Sequence, residues 1–592
     1  MSHTFHIPVL GLGFSIDTPL KVARYGISSV VSIVDDELVE KMRKLHAEKN
    51  GIPYVPINKK ENDSRARRIT AYLNLLNQLV NNQFEELKGQ QFGEGSDINR
   101  YFNLLPNTSS LKRQFMEMQC AADPLERKER QEQLRKQLEK GAIDVNIMSK
   151  VDKLNYDPAG NALGDIYTDA LAALRGFANS NLNSSLILSA GMNPRLYSYL
   201  ETFDCFLPQP DGAFLKKIIL KVSDFRSAFI QAKFLAKKGL WVSEFRIESG
   251  LNCGGHAFAT EGFLLGPILE EFKQRRNEMT EELAVLYAAA LKDKGLPELE
   301  NKTVKISVQG GIGTAEENEF LLNHYNLDRT GWGSPFLLVP EATNVDSETL
   351  HDLSGADTED FYVSNSSPLG VPFNNFRKSS VEKQRLERIA KGRPGSPCTK
   401  KYLVSNTEFT AEPICTASRE YQKKKIDQLK AQEISAEEFQ LRFDEITEKI
   451  CLCESLCSSV YIKHNLLKPK ENRAVAICPG PNIAYFSGVF SLDDMIKHIY
   501  GEVNLLQAKE RAHMFINELN LYIEYFEKDI KNSLREYSDK KFKQLKKFGE
   551  QLQQGMEYYK QLIPQTGSLL EKYYTDLQQS KIRLEKIAVY FY

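Results

Sequence analysis

Residues 7–34, IPVLGLGFSIDTPLKVARYGISSVVSIV, hold the pattern that decides the fold. Ile7 to Leu12 is short and apolar, and Gly13 breaks it. Asp17 and Thr18 stand where a helix is capped, Pro19 falls in its first turn, and Gly26 closes it. Ile27 to Val34 is then a β-branched run of the kind found in buried parallel strands. A strand, a helix and a strand joined by such short connections indicate an α/β fold.

The same alternation returns further along the chain. AIDVNIM (142–148), SSLILSA (184–190), KKIILKV (216–222), WVSEFRI (241–247) and VKISVQG (304–310) read as short strands, as does the apolar stretch around Phe336. Helical segments lie between most of them, for example 225–238 and 266–292. Repeated βα units suit either a (β/α)8 barrel or a doubly wound sheet.

Three additions interrupt this pattern. Residues 58–140 are polar and helical, and a helix opened by Asp123-Pro124 is expected to run to Gly141. This insertion reads as a packing or oligomer surface in preference to a lid. Residues 361–490 are loop-rich, with one charged helix expected over about 418–455. Residues 491–592 are helical: Phe515, Leu519, Tyr522, Phe526 and Ile530 recur at helical spacing, as do Leu545, Phe548, Leu552, Met556 and Tyr559. The expected architecture is therefore a TIM barrel from 1–57 and 141–360 with a helical insertion, a cysteine-containing irregular region and a C-terminal helical region.

Composition bounds the function. Among 592 residues, 42% are hydrophobic and 26% charged, enough for a large core. Lys+Arg (77) and Asp+Glu (78) nearly cancel, so no basic excess points to nucleic acid. The N-terminus lacks the pattern of a signal peptide, and no apolar run approaches the ~20 residues of a membrane span. Nine cysteines, an odd number, argue against a secreted disulfide framework. The expectation is a cytoplasmic protein with no nucleic-acid or membrane partner, and a homo-oligomer as a candidate assembly.

Three glycine-containing turns carry candidate chemistry. SGLNCGGH (249–256) places His256 behind Gly254 and Gly255 at the carboxyl end of a strand, the face that carries chemistry in barrels. Histidine titrates near neutrality and can exchange protons with a substrate, though a lone GGH is more often only a turn. VQGGIGT (308–314) leads into a helix, so its backbone N–H groups and the helix N-terminus favour an anion such as phosphate. TGWGSPF (330–336) follows about twenty residues later, and a phosphate site split between the last two βα loops recurs in barrels.

In this order the motifs resemble the nitronate monooxygenase (2-nitropropane dioxygenase) family and its relative, the FMN-dependent enoyl-acyl carrier protein reductase. The likeness rests on Val145-Asn146-Ile147, Lys221-Val222-Ser223, the Asn252 to His256 turn, Gln309 to Ile312, Gly333 to Leu337, and the opening βα unit. It covers roughly residues 6–57 and 142–345. The resemblance implies a barrel that holds FMN. Asn146 and Lys221 would contact the flavin ring, and Gly310, Gly311, Gly333 and Ser334 would hold its phosphate. Gly254 and Gly255 would line the cofactor, and His256 would be the active-site acid/base. Cys253 stands where the family has a small residue, and the Trp332 to Pro335 segment replaces its usual QMGTR; both departures bear on the substrate.

The implied function is an FMN-dependent oxidoreductase acting on a small-molecule or acyl substrate. His256 would remove a proton from carbon beside an electron-poor group or protonate a developing carbanion. An enoyl-thioester reductase fed by NAD(P)H is the alternative within that class, and a non-catalytic flavin- or phosphate-binding scaffold is the alternative outside it. The cysteines add a further question. Cys451, Cys453, Cys457 and Cys478 crowd together in sequence, with Cys398 and Cys415 before them. Such a density of thiols suits zinc or an iron–sulfur cluster, yet the spacing matches neither a CxxC pair nor a ferredoxin run, and buried free thiols are the commoner reading.

Overall fold

The computed structural model describes residues 2–157, 159–189, 191–252, 261–297, 302–506, 510–533, 538–562 and 570–588. Eight strands close into a barrel in sequence order: β1 (Phe5–Ile7), β2 (Ser28–Ser32), β3 (Ile143–Met148), β4 (Ser185–Ser189), β5 (Lys217–Val222), β6 (Val242–Glu248), β7 (Lys305–Gln309) and β8 (Arg329–Gly331). Every neighbouring pair is parallel, and β1 meets β8 with Phe5 beside Thr330 and His6 beside Gly331. Strands separated by helices and closed on themselves make this a (β/α)8 TIM barrel.

The outward residues of the strands form the main core. Val31, Val145, Leu186, Leu220, Phe245 and Val308 are buried beneath the surrounding helices, each contributing about 1.5–3 kcal/mol by leaving water. The inward residues are different. Val30, Ile187 and Ile219 make a small apolar cluster of their own, but Asp144, Glu244, Arg246 and Arg329 share the barrel interior with them. Arg246 is 1% exposed and donates to Glu244, as does Arg329. Burial opposes ionisation of Glu244, but Arg246 and Arg329 outweigh it and hold its carboxyl well below the ordinary range.

Three expected elements move. The first strand is Phe5–Ile7, earlier than Ile7 to Leu12, and the chain turns from Gly11. The eighth strand is not the apolar stretch at Phe336: residues Ser334–Leu338 form a buried 3-10 turn, with Pro335 at its start. The strand itself is Arg329–Gly331, whose arginine points to Glu244. The charged helix over 418–455 is also divided. Arg419–Lys430 and Ala436–Thr447 are separate helices, with Ser418 and Ser435 as their caps, and Leu452–Lys463 is a third.

The insertion places helix Ser64–Gly89 against helices Asp36–Lys49 and Asp169–Ala178 on the barrel's flank. Helix Asp97–Asn103 closes the end where the strands begin: Tyr101 bonds Ser2 at 2.6 Å, and Tyr25 donates to Asp97. Helix Pro124–Lys136 starts at the expected cap but ends short of Gly141. The C-terminal helices Met514–Ser533, Asp539–Gln561 and Leu570–Ala588 pack on one another and on helix Leu265–Asp293. Both predicted stripes are buried there as core. No helix among the described residues is long and apolar enough to cross a membrane.

Candidate active site at the barrel mouth

At the carboxyl end of the strands, a cavity is floored by side chains from most of the barrel: Ser32, Asn146, Met148, Ser189, Lys221, Glu248 and Gln309. Each follows its strand's inward register, so period-two alternation sets them on one surface. Asn146 and Lys221, separated by 75 positions in sequence, come together here. The glycine turns 310–313 and 333–334 leave adjacent strands, since Gln309 pairs with Gly331. Gly254, Gly255 and His256 lie outside the described residues.

Glu248 organises the floor. It pairs with Lys221 at 3.0 Å and accepts from Gln309 at 2.8 Å and from Asn252. Sequence reading gave Glu248 no place, and Gln309 only a place in the turn motif, although the inward register of β6 and β7 sets both side chains on the floor. Ser32 Oγ and Asn252 Oδ1 are buried without a hydrogen-bond partner among the described residues.

The two glycine turns show the same deficit in the backbone. Gly310 and Gly311 hold φ of 104° and 82°. The buried N–H groups of Gly310, Gly311, Ile312, Gly333 and Ser334 have no acceptor among the described residues. Ser334 Oγ accepts from Gly480 at 2.9 Å, which leaves its own proton to donate. The helix dipole, in contrast, is already answered. At helix Ala315–His324 the Glu317 carboxylate takes the Gly313 N–H at 2.8 Å and pairs with Arg511 at 2.6 Å. Burial opposes its ionisation, but Arg511 outweighs burial and lowers its pKa. The N-terminus of this helix is thus occupied by a carboxylate of its own first turn.

The mouth is roofed by residues 361–490. Phe373, Tyr402, Leu403, Leu452, Cys453, Leu456 and Cys478 face the floor across the cavity. Gly13 donates to Leu456 O at 3.1 Å. Asp35, just past β2, receives Lys400 and also accepts from Tyr402 and Cys457, each at 3.3 Å. The enclosed space is about 100 Å³, below the ~300–1,000 Å³ of most ligand pockets. A larger cavity of about 770 Å³, between the Phe361–Phe376 hairpin and helix Met514–Ser533, lacks the strand-end residues altogether.

Glu518 fixes both flanks of the segment that carries His256. It accepts from Ser249 Oγ at 2.7 Å, Gly250 N at 3.1 Å and Leu265 N at 2.8 Å. Burial pushes its carboxyl up despite these donors. Glu518→Ala is expected to lower stability by about 1–3 kcal/mol, because buried donors lose their acceptor. Amide exchange should quicken at Gly250 and Leu265 in the same variant; unchanged exchange there removes the tethering role.

No family model matches the chain, and no curated protein matches it. Solved structures do. A FabK mutant from Thermotoga maritima is 11% identical, with 68% of this chain and 84% of that one covered at a TM-score of 0.30. The enoyl reductase domain of MlnA from the macrolactin biosynthesis cluster of Bacillus amyloliquefaciens is 14% identical, covering 74% and 89% at 0.30. Nitroalkane oxidase from Streptomyces ansochromogenes is 10% identical, covering 58% and 87% at 0.24. At such identities and TM-scores these likenesses add nothing to what the closed barrel itself shows.

Proposed function

We propose that this chain is an FMN-dependent oxidoreductase of the nitronate monooxygenase type, with its chemistry in the barrel mouth beneath the roof. The observation that carries the reading is the set of buried N–H groups on the turns after β7 and β8 that find no acceptor among the described residues. Left unpaired, each costs about 1–3 kcal/mol, and a phosphate answers several at once.

The donor set fits FMN. Gly310, Gly311, Ile312, Gly333 and Ser334 would hold the phosphate, and Asn146, Lys221, Gln309 and Ser32 would meet the ring. When bound, FMN supplies the uptake and release of electrons. The chain's own contribution is positioning and proton transfer. Glu248 pins Lys221 at the floor, and Phe373, Leu403 and Leu456 give the apolar wall that suits an alkyl or acyl substrate. The roof excludes water. His256 would hold the proton that moves at the substrate carbon, on a segment whose flanks Glu518 fixes.

The test is a visible spectrum of the purified protein with the released cofactor identified by mass. About one FMN per chain is expected; a colourless protein that fails to bind added FMN removes the reading. Nitronate consumed with oxygen supports the monooxygenase, whereas an enoyl thioester reduced with NAD(P)H assigns the alternative. His256→Ala should retain FMN and lose roughly 10²–10⁴-fold in turnover, the usual contribution of a general acid/base. Unchanged turnover would release His256 from that role.

A further inference from the structure

We infer, resting on the reading of the mouth as an FMN site, that Arg511, Asn482 and His498 brace the glycine turn after β7 by its carbonyl oxygens. So braced, the turn selects a flavin that carries a phosphate over one that does not. None of the three positioning residues lies on a barrel strand. Asn482 belongs to the 3-10 turn Pro481–Tyr485, His498 to helix Leu492–Ile499, and Arg511 stands just ahead of helix Met514–Ser533.

Three successive carbonyls of the turn are held. Gly311 O accepts from Arg511 Nη2 at 2.7 Å, Ile312 O from Asn482 Nδ2 at 2.9 Å, and Gly313 O from His498 Nε2 at 2.9 Å. The Gly313 N–H goes to Glu317, so the peptide between Ile312 and Gly313 is satisfied at both ends. The braces are also joined to one another. Arg511 Nε donates to Asn482 Oδ1 at 2.8 Å, and Arg511 pairs with Glu317, which takes the Met514 N–H at 2.7 Å as well. Arg511 lies so close over the turn that a Cβ on Gly313 would stand 2.6 Å from its Cζ. The same stretch of chain reaches the second turn. There Gly480 N donates to Ser334 Oγ at 2.9 Å, and the His498 ring stands at right angles to Trp332, centre to centre 5.9 Å.

The partners fix the polarity of each brace. A guanidinium only donates and a carbonyl only accepts, so one orientation of the Asn482 amide serves both Arg511 and Ile312. The Leu505 N–H occupies His498 Nδ1 at 3.2 Å, which leaves the ring proton on Nε2 for Gly313 O. Asn482 and His498 are buried, as is the Arg511 side chain, so water does not compete for these carbonyls.

A glycine turn has wide rotational freedom, and binding must remove whatever freedom the fold leaves. A trans peptide is planar, with its C=O and N–H directed oppositely. Holding Gly311 O on Arg511 therefore aims the Ile312 N–H away from the brace. With the next two carbonyls fixed, the amides of Gly310, Gly311 and Ile312 are presented together and in one direction. Arg511 does this without lending its charge to the ligand, because Glu317 takes that charge. The brace acts on where the amides point, so its loss falls on the phosphate and not on the flavin ring.

The test compares binding of FMN and of riboflavin to flavin-free full-length protein, each read by fluorescence quenching. Wild type is expected to prefer FMN. Arg511→Lys keeps a cation opposite Glu317 but loses the planar fork that reaches Glu317, Asn482 and Gly311 at once. It should lower FMN affinity by about 10–100-fold, the cost of one misdirected hydrogen bond to a charged ligand, and leave riboflavin affinity unchanged. Asn482→Asp, which still accepts from Arg511 but cannot donate to Ile312 O, should act in the same way. His498→Leu should also lose the preference, and His498→Gln, whose amide can donate to Gly313 O, should restore it. Denaturant titration shows which variants are folded, and three separate positions keep the comparison decisive if one is not. Equal losses for FMN and riboflavin would reduce the three residues to general support of the fold and overturn the inference. A folded Arg511→Lys protein with the full preference for FMN would overturn it too, while leaving the cofactor reading in place. A wild-type protein that binds neither flavin removes the cofactor reading itself, and the brace with it.

Discussion

Glu244→Ala is expected to destabilise the protein by about 3–5 kcal/mol, the cost of removing one partner from a buried ion pair. Glu244 is 2% exposed, and its carboxylate accepts from Arg246 Nε and Nη2 at 3.0 and 2.9 Å, from Ser307 at 2.6 Å, and from Arg329. Arginine stays protonated in proteins, so the alanine variant leaves two buried cations. Asp144, 3.8 Å from Arg246, is the nearest remaining counter-charge. Glu244→Gln keeps the shape and loses the charge, and should fall between wild type and alanine. Denaturant titration followed by circular dichroism measures both. The pH dependence has a definite sign. The folded carboxyl titrates below its unfolded value of about 4.3, so the stabilisation is fully present above that pH and is lost as pH falls toward the folded value. The gap between wild type and Glu244→Gln should therefore narrow below about pH 4. A loss under about 1 kcal/mol for alanine would mean that water enters the barrel and solvates the arginines.

This interior charge explains which parts of the fold were legible in the sequence. β2 to β7 announced themselves because their outward residues are β-branched or aliphatic and sit under helices. β8 did not, because a three-residue strand carrying Arg329 and Gly331 offers no apolar run, whereas the buried turn at Ser334–Leu338 does. The floor of the mouth was half legible. Asn146 and Lys221 were reached through the resemblance, while Glu248 and Gln309 required knowing that alternate positions of β6 and β7 face inward. The roof was illegible for a different reason. Its contacts to the barrel, such as Lys400 with Asp35 and Leu456 with Gly13, join positions hundreds of residues apart.

Gly310→Ala is expected to lower FMN affinity by roughly 10²–10⁴-fold while leaving the barrel folded. Gly310 holds φ of 104°, where a side chain is strained by about 1–2 kcal/mol. An added Cβ would also lie 2.8 Å from the Asn252 Cα and 2.9 Å from its N, both backbone atoms that cannot swing aside. The turn must shift, and the N–H groups of Gly310 and Gly311 shift with it. Hydrogen bonds to a charged group are worth about 1.5–3 kcal/mol each, so two misdirected donors account for the expected range. Gly355→Ala is the matched control, since nothing lies within 4 Å of the added methyl. Flavin fluorescence quenching reads the affinity, and denaturant titration separates it from stability. Full affinity in a folded Gly310→Ala protein would place the phosphate elsewhere. A loss confined to Gly310→Ala ties the cofactor to the turn after β7, because the strain penalty alone is too small to produce it.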